Sequence, residues 1–162
     1  MNSVGIIGFG RFGKILSNIL QKGFMIKVYD IQSLSYHNGV QFTSLEEVLK
    51  EKVIFIAVPI RHFESLINNI SGELKNNTTI IDVCSVKKYT SDVMKNILPE
   101  KIGIISSHPM FGPDSYLSNK KLKMMMHSTR DVHDQYDFWK KFFSDQNIKI
   151  LEMTPHIQDL SL

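Results

Sequence analysis

The sequence has little cysteine, no block of like charges and no long apolar segment. Its single cysteine cannot form an internal disulfide, so a reducing compartment is expected. The formal net charge is only +3, and charges of both signs are interspersed, which gives nucleic-acid binding little support. The longest apolar run, 53–60, is far shorter than the roughly 18 residues that a membrane span needs.

Signals for export and for metal binding are also missing from the sequence. No basic segment precedes the first apolar residues, and glycines interrupt that stretch, so no signal peptide is predicted. His127 and His133 lack the spacing and the partner ligands of a zinc site, so no metal is predicted. We therefore expect a soluble, cytoplasmic protein that binds neither nucleic acid nor a membrane.

What the sequence does contain is a series of short apolar runs that alternate with helical patterns. A length of 162 residues and an apolar content of 43% suit one globular domain. The apolar runs are continuous and not alternating, as in parallel strands that are covered on both faces. They lie at 4–7, 26–29, 53–58, 79–83 and 103–105, and two further strands are predicted at 122–126 and 148–151.

Amphipathic helices are predicted between these runs. The first places apolar residues at helical spacing from Phe12 to Leu20, and Gly23 stands where a C-cap is expected. One face of a later helix is predicted to carry Val132, Tyr136, Trp139 and Phe143. This alternation predicts an α/β fold, a doubly wound, mostly parallel Rossmann-type sheet with helices on both faces.

Residues 8–13, Gly-Phe-Gly-Arg-Phe-Gly, fit the pattern G-x-G-x-x-G between the first strand and the first helix. Gly8 permits the tight turn, Gly10 lets the backbone approach a pyrophosphate, and Gly13 lets the helix pack close to the strand. The free N–H groups and the dipole at the helix start favour phosphates. The turn predicts a dinucleotide site; the alternative is a glycine-rich turn without a ligand.

Asp30 closes the second strand, at the distance expected of the acid that accepts hydrogen bonds from the adenosine ribose. A carboxylate there repels a 2′-phosphate by about 4 kcal/mol per unit charge at about 4 Å and an effective dielectric of about 20, before solvent screening. Residues 31–33 supply no cation to offset the repulsion. NAD is therefore predicted in preference to NADP, and the alternative is an ordinary surface aspartate.

Two polar side chains follow neighbouring apolar runs. Ser85 comes after the run at 79–83, and His108 comes after the run at 103–105. Such strand ends form the edge of an open α/β sheet at which ligands bind. A hydroxyl there orients an imidazole, and the imidazole takes a proton from a substrate alcohol during hydride transfer. The alternatives are that Ser85 caps the next helix and that His108 is a loop histidine without a ligand.

These segments together resemble the dehydrogenases of tyrosine biosynthesis that act on prephenate or arogenate. The resemblance rests on GFGRFG at 8–13, AVP at 57–59, DVCSVK at 82–87 and HPMFGP at 108–113. It covers nearly the whole chain, and the last two segments look most like arogenate dehydrogenases of plants and related bacterial enzymes. The resemblance implies an oxidative decarboxylation of a cyclohexadienyl substrate: hydride passes to NAD(P), carbon dioxide leaves and the ring becomes aromatic.

The resemblance also implies roles for individual residues. His108 would be the catalytic histidine that polarises or deprotonates the ring hydroxyl, and Ser85 would hydrogen-bond it and touch the nicotinamide. Val58 and Pro59 would border the cofactor, and Arg11 would reach its pyrophosphate. The predicted cofactor-binding residues are Gly8, Gly10, Arg11, Phe12, Gly13, Asp30, Val58, Pro59 and Ser85.

Members of this family carry a second, helical domain that provides dimerisation and cations for the substrate carboxylates. We predict a dinucleotide-binding domain over 1–153 and the stub of an interdomain helix over 154–162, with the second domain absent. A homodimer or a partner helical domain is therefore expected. The candidate cations within the chain are Arg11, Arg61, Arg130, Lys87 and the pair Lys120 and Lys121.

Two other functions remain open from the sequence. One is a non-catalytic dinucleotide-binding domain, from a shortened gene or dependent on a partner's helical domain. The other is a small reductase with the same sheet that acts on a hydroxy acid or an imine. The Ser-Val-Lys and His-Pro-Met-Phe-Gly segments weigh against the reductase.

Overall fold

The computed structural model describes residues 1–118 and 121–160, and the strands in them form one sheet. These strands are β1 (Ser3–Ile7), β2 (Met25–Tyr29), β3 (Val40–Phe42), β4 (Val53–Ile56), β5 (Thr79–Asp82), β6 (Gly103–Pro109), β7 (Leu122–Arg130) and β8 (Ile148–Glu152). The helices of the same residues are α1 (Arg11–Leu20), α2 (Leu45–Val48), α3 (Ile60–Ile70), α4 (Lys87–Ile97), α5 (Pro113–Leu117), α6 (Tyr136–Ser144) and α7 (Pro155–Leu160). None of these described helices is long and apolar enough to cross a membrane.

The sheet has the strand order β3-β2-β1-β4-β5-β6-β7-β8. Strands β1 to β6 are parallel, β7 is antiparallel to β6, and β8 is parallel to β7. The order reverses between β1 and β4, so a topological switch point lies at the carboxyl ends of these two strands. The prediction of a doubly wound, mostly parallel sheet is confirmed.

Apolar side chains alternate between the two faces of the sheet and form a hydrophobic core on each. In β1, Ile6 belongs to one core and Ile7 to the other. The first core includes side chains of α1 and of α6, among them the fully buried Trp139, and the second includes side chains of α3 and α4. Because both faces are covered, the strands read as continuous apolar runs.

The structure corrects the predicted start of the helix that carries Trp139. Val132 lies in the turn before α6 and is 50% exposed, so it is not part of the helical face. The carboxylate of Asp131 accepts hydrogen bonds from the N–H groups of Gln135 and Tyr136. These bonds satisfy donors at the start of α6 and fix that start after the turn.

The structure also differs from the sequence-based prediction at Gly23 and at β3. α1 ends at Leu20 with Gln21 as its C-cap, and Gly23 lies in the next turn without a positive φ. A Cβ at Gly23 would lie 2.8 Å from the ring of Phe142, so packing and not helix capping explains this glycine. The sequence does not predict β3, because it is a three-residue strand at the edge of the sheet with the polar Gln41 at its centre.

Candidate active site

The glycine turn between β1 and α1 packs closely against the segment that follows β4. Gly8 has a φ of +99°, and a Cβ there would lie 2.4 Å from the carbonyl oxygen of Ala57. A Cβ at Gly13 would lie 2.6 Å from the carbonyl oxygen of Gly8. Glycine is required at both positions, because any larger residue would collide with backbone atoms that cannot move aside.

Gly10 has different surroundings. A Cβ at Gly10 would meet no described atom within 4 Å, so the turn is open on this side. Gly10 is also the N-cap of α1, and no side chain of the described residues caps that helix. The first N–H groups of α1 and the positive end of its dipole therefore face open space, an arrangement that fits a pyrophosphate.

Alanine substitutions at two of these glycines are expected to have different effects. Gly10→Ala should fold normally but bind a dinucleotide at least roughly tenfold more weakly, because its methyl group occupies the space that a phosphate needs. Gly8→Ala should instead lower the free energy of unfolding by about 1–3 kcal/mol, from strain and collision. Urea unfolding and cofactor titration of both variants provide the measurement; unchanged affinity in Gly10→Ala would contradict the phosphate site.

Asp30 lies directly after β2, at the same edge of the sheet as the glycine turn. Its Oδ2 accepts a hydrogen bond from the N–H of Phe9 at 2.7 Å, and its Oδ1 accepts one from the N–H of Gln32 at 2.8 Å. The carboxylate is therefore joined to the glycine turn itself. This is the position required of a ribose-binding acid, and the binding role stays a prediction.

Val58, Pro59 and Phe12 are further predicted cofactor residues whose positions the structure gives. Val58 borders the turn, since its Cγ1 would lie 3.1 Å from a Cβ at Gly8. Pro59 is exposed at the N-cap of α3. Phe12 is half-buried and packs against Phe111, with ring centroids 5.9 Å apart. This ring contact connects the start of α1 to the segment that follows β6.

Ser85 and His108 lie at the ends of neighbouring strands. Ser85 is exposed in the turn between β5 and α4, but Val86 is the N-cap of α4, so the alternative of Ser85 as a cap is wrong. β6 extends beyond the predicted run and contains the half-buried His108, opposite Met125 of β7, so His108 is a strand residue and lies neither after the strand nor in a loop. In the part of the chain that the structure describes, no hydrogen bond joins the two side chains, and Nδ1 of His108 is buried without a partner. Their mutual contact stays a prediction.

A buried ion pair lies beneath this edge of the sheet. The Lys87 ammonium contacts the Asp82 carboxylate and donates a hydrogen bond to the carbonyl oxygen of Ser107 at 2.6 Å. The Ser107 hydroxyl in turn donates to the carbonyl oxygen of Asp82 at 2.7 Å. These bonds join the end of β5, the start of α4 and β6. They hold the strand ends that carry Ser85 and His108 next to each other.

The structure also changes the set of cations offered to a substrate. Lys87 is fully buried in its ion pair, so the prediction that it substitutes for a substrate-binding cation is wrong. The guanidinium of Arg130 donates hydrogen bonds to the carbonyl oxygens of Leu98, Pro99 and Ile102. Arg11 and Arg61 are exposed, whereas Lys120 lies outside the described residues. Residues 1–118 and 121–160 contain no group of three metal-ligating acids, histidines or cysteines.

The surroundings of His108 disfavour its protonated form. Burial is the larger cause that holds the pKa of His108 below its ordinary 6.5, and the Lys87 ammonium lowers this pKa further. The carboxylates of Asp82 and Asp159 raise it by less. His108 is therefore neutral at neutral pH and able to accept a proton.

An NMR titration of the His108 imidazole is expected to give a midpoint below 6.5. Because the pKa is depressed, a base function of His108 would be retained at pH 6.5 and lost only as the pH falls through the lower value. The His108→Asn variant identifies the signal by its disappearance. A midpoint at or above 6.5 would contradict the effects of burial and of Lys87.

The sequence reasoning missed three contributors to this site: Asp82 and Lys87 as a buried pair, and Asp159 near them. A signal for the pair was present, because Asp82 is a charged residue within an apolar strand and a buried charge requires a partner. Asp159 has no comparable local signal. Its hydrogen-bond partners, the backbone N–H groups of Lys87 and Lys88, lie 72 and 71 positions away along the chain.

The chain is similar in sequence to known dehydrogenases over most of its length. Residues 19–124 match the nucleotide-binding domain of prephenate dehydrogenase, a range that begins after the glycine turn and covers about two thirds of the chain. Arogenate dehydrogenase 1, chloroplastic, of Arabidopsis thaliana is 30% identical over 142 residues, which are 83% of this chain and 21% of that protein. A probable arogenate/prephenate dehydrogenase of Methanocaldococcus jannaschii is 26% identical over 166 residues, 96% of this chain and 36% of that protein. The chain thus spans about a fifth to a third of these relatives.

Solved structures share the fold at lower identity. Prephenate dehydrogenase from Aquifex aeolicus superposes with a TM-score of 0.81 at 22% identity, over 99% of this chain and 64% of that one. Arogenate dehydrogenase from Synechocystis gives a TM-score of 0.81 at 17% identity, over 98% and 62% of the two chains. The match over 19–124 and the relatives at 26–30% identity confirm the resemblance read from the sequence. The chain belongs to the prephenate dehydrogenase family and contains its nucleotide-binding domain.

Proposed function

We propose that this chain is the cofactor-binding part of an NAD-dependent dehydrogenase that oxidatively decarboxylates prephenate or arogenate in tyrosine biosynthesis. The observation that carries the proposal is the contact between Phe12 and Phe111. It packs the start of α1 against the segment that follows β6, and from this we infer that a phosphate-binding helix start and a neutral imidazole belong to one site. That combination suits hydride transfer from an alcohol.

In this proposal, different residues bind the pyrophosphate and the adenosine ribose of the dinucleotide. The N–H groups at the start of α1 hold the pyrophosphate, with Gly8, Gly10 and Gly13 shaping the turn and the exposed Arg11 beside it. Asp30 accepts hydrogen bonds from the adenosine ribose. Its carboxylate repels a 2′-phosphate, which favours NAD over NADP. The Aquifex aeolicus enzyme has been crystallised with hydroxyphenyl propionate and NAD+, in line with this assignment.

The remaining groups handle the substrate. Bound NAD supplies an acceptor for hydride. His108 accepts the proton of the ring hydroxyl, which permits the carbon that bears the hydroxyl to lose hydride. Carbon dioxide then leaves, and the electron pair of the broken carbon–carbon bond completes the aromatic ring. Ser85 borders the nicotinamide and forms its hydrogen bond to His108 when cofactor and substrate are bound, while Val58 and Pro59 border the cofactor.

We also propose that residues 1–153 are the dinucleotide-binding domain and that an interdomain helix begins at Thr154. Thr154 accepts a hydrogen bond from the N–H of Ile157 at 3.3 Å, and Pro155 is the first residue of α7, which suits a helix start. Substrate cations would then come from a helical domain, in a homodimer or from a partner. The internal bonds of Lys87 and Arg130 favour that source.

The internal bonds of Lys87 and Arg130 also favour a second candidate, a dinucleotide-binding domain that is inactive until a helical domain joins it. Titrations of the chain with NAD and with NADP, followed by turnover assays with prephenate and with arogenate, separate the candidates. We expect tighter binding of NAD than of NADP. Turnover would support the dehydrogenase, binding without turnover would support the second candidate, and the absence of binding would contradict both.

A further inference from the structure

Helix α4 follows the turn that carries Ser85, and its own N-cap residue cannot cap it. The N-cap is Val86, an apolar residue in extended conformation with no side-chain acceptor. The first N–H groups of a helix have no partner within the helix, and an uncapped end is prone to fray. A polar partner for this end must therefore come from elsewhere in the chain.

Asp159 of α7 supplies that partner. Its Oδ1 accepts a hydrogen bond from the N–H of Lys87 at 2.8 Å, and its Oδ2 accepts one from the N–H of Lys88, also at 2.8 Å. Both oxygens are thus bound by the first turn of α4. A carboxylate at this position also interacts favourably with the positive end of the helix dipole.

α7 is itself anchored, so Asp159 is held in place. Pro155 and Gln158 are buried, and the N–H of Gln158 donates to the carbonyl oxygen of Thr154 at 3.0 Å. The other end of the link is equally fixed, because the Lys87 side chain is buried against Asp82. Two packed elements from the middle and the C-terminal part of the sequence therefore meet through one carboxylate.

We propose that Asp159 is a positioning residue that caps α4 from α7 and thereby fixes the turn that carries Ser85. The functional part of this inference rests on the proposed role of Ser85 beside the nicotinamide. Through this contact the placement of α7 determines the order of the turn that carries Ser85. Asp159 acts through α4 and needs no contact with substrate.

Backbone NMR of Asp159→Ala tests the cap without any need for turnover. Hydrogen exchange at the amides of Lys87 and Lys88 is expected to accelerate by about tenfold, the loss typical of a helix cap. The backbone order parameter at Ser85 is expected to fall as the turn loosens. The matched control is Asp92→Ala, which removes a carboxylate from the side chain of Lys88 and not from its amide. The control should leave both measurements unchanged.

A rescue variant separates capping from a general loss of packing. Val86→Ser in the Asp159→Ala background places a hydroxyl acceptor at the N-cap, which can accept a hydrogen bond from the N–H of Lys88 or Tyr89 but not from that of Lys87. It should restore protection at one of those two amides and the Ser85 order parameter. If Asp159→Ala does not fold, Asp159→Asn keeps the shape and one acceptor, and should lose protection at one of the two amides. Wild-type protection in both Asp159 variants, or no recovery with Val86→Ser, would overturn the proposal.

Cofactor and turnover measurements on the same variants keep the two proposals distinguishable. Asp159→Ala should lower kcat several-fold with little change in the KM for NAD, and Val86→Ser should restore kcat. Recovery of amide protection without recovery of kcat would overturn the link to Ser85. If the unaltered chain binds no dinucleotide, the proposed function fails, whereas the exchange data still decide the cap.

Discussion

Replacing His108 with asparagine is expected to lower turnover by at least about a hundredfold while leaving NAD affinity within about twofold. The reduction follows from the loss of a group that accepts the substrate proton, which typically contributes a factor of about 10²–10⁴. Asparagine fills similar space, and its amide can meet the same buried surroundings, but it cannot take a proton at neutral pH. Affinity is retained because the glycine turn and Asp30 belong to other strand ends.

The matched control for this variant is His127→Asn. His127 is also half-buried, on the adjacent strand β7, and its Nδ1 contacts the Thr129 hydroxyl at 3.1 Å. Its replacement should leave turnover near the original level. Steady-state kinetics with prephenate or arogenate, together with NAD titration, provide the comparison. Equal turnover in His108→Asn and the unaltered chain would refute the assigned role.

Lys87→Met is expected to lower the free energy of unfolding by about 3–5 kcal/mol, the usual cost of leaving one member of a buried ion pair without its partner. Asp82 would remain fully buried as an unpaired carboxylate, and the carbonyl oxygen of Ser107 would lose its donor. Methionine keeps the length and apolar stem of lysine, so a large cavity is not the cause. Urea unfolding at neutral pH provides the measurement.

Two further variants test whether the effect comes from charge burial. Lys88→Met removes the neighbouring lysine, whose ion pair with Asp92 is exposed, and should leave stability nearly unchanged. Combining Lys87→Met with Asp82→Asn removes both charges and should recover most of the lost stability. A double variant as unstable as Lys87→Met alone would rule out the unpaired carboxylate as the cause.

The parts of the structure that the sequence predicts are those with local signals. Continuous apolar runs identify buried parallel strands, and the spacing of Gly8, Gly10 and Gly13 between a strand and a helix identifies the turn. The sequence also places Ser85 and His108 near the carboxyl ends of neighbouring strands, although β6 extends through His108 to Pro109. β3 is too short for a periodic signal, and Val132 has an apolar side chain that a turn nonetheless exposes.

The interactions that the sequence does not predict join residues far apart in the chain. Arg130 donates to carbonyl oxygens that lie 28 to 32 positions away, which no local pattern reveals. Lys87 looks like a helix-start cation until Asp82 and Ser107 are placed around it. Asp159 likewise looks like a surface acid. In each case the tertiary fold decides whether a charged group faces solvent or the interior.

The two hydrogen bonds of Asp30 fix its carboxylate before a cofactor binds. Amides of Phe9 and Gln32 hold one oxygen each, so the carboxylate has lost its rotational freedom during folding and not at the moment of binding. A ribose that docks there meets a preorganised acceptor, which removes one ordering cost from association. The same rigidity prevents the carboxylate from rotating away from a 2′-phosphate. Discrimination between the two dinucleotides would therefore require no conformational change.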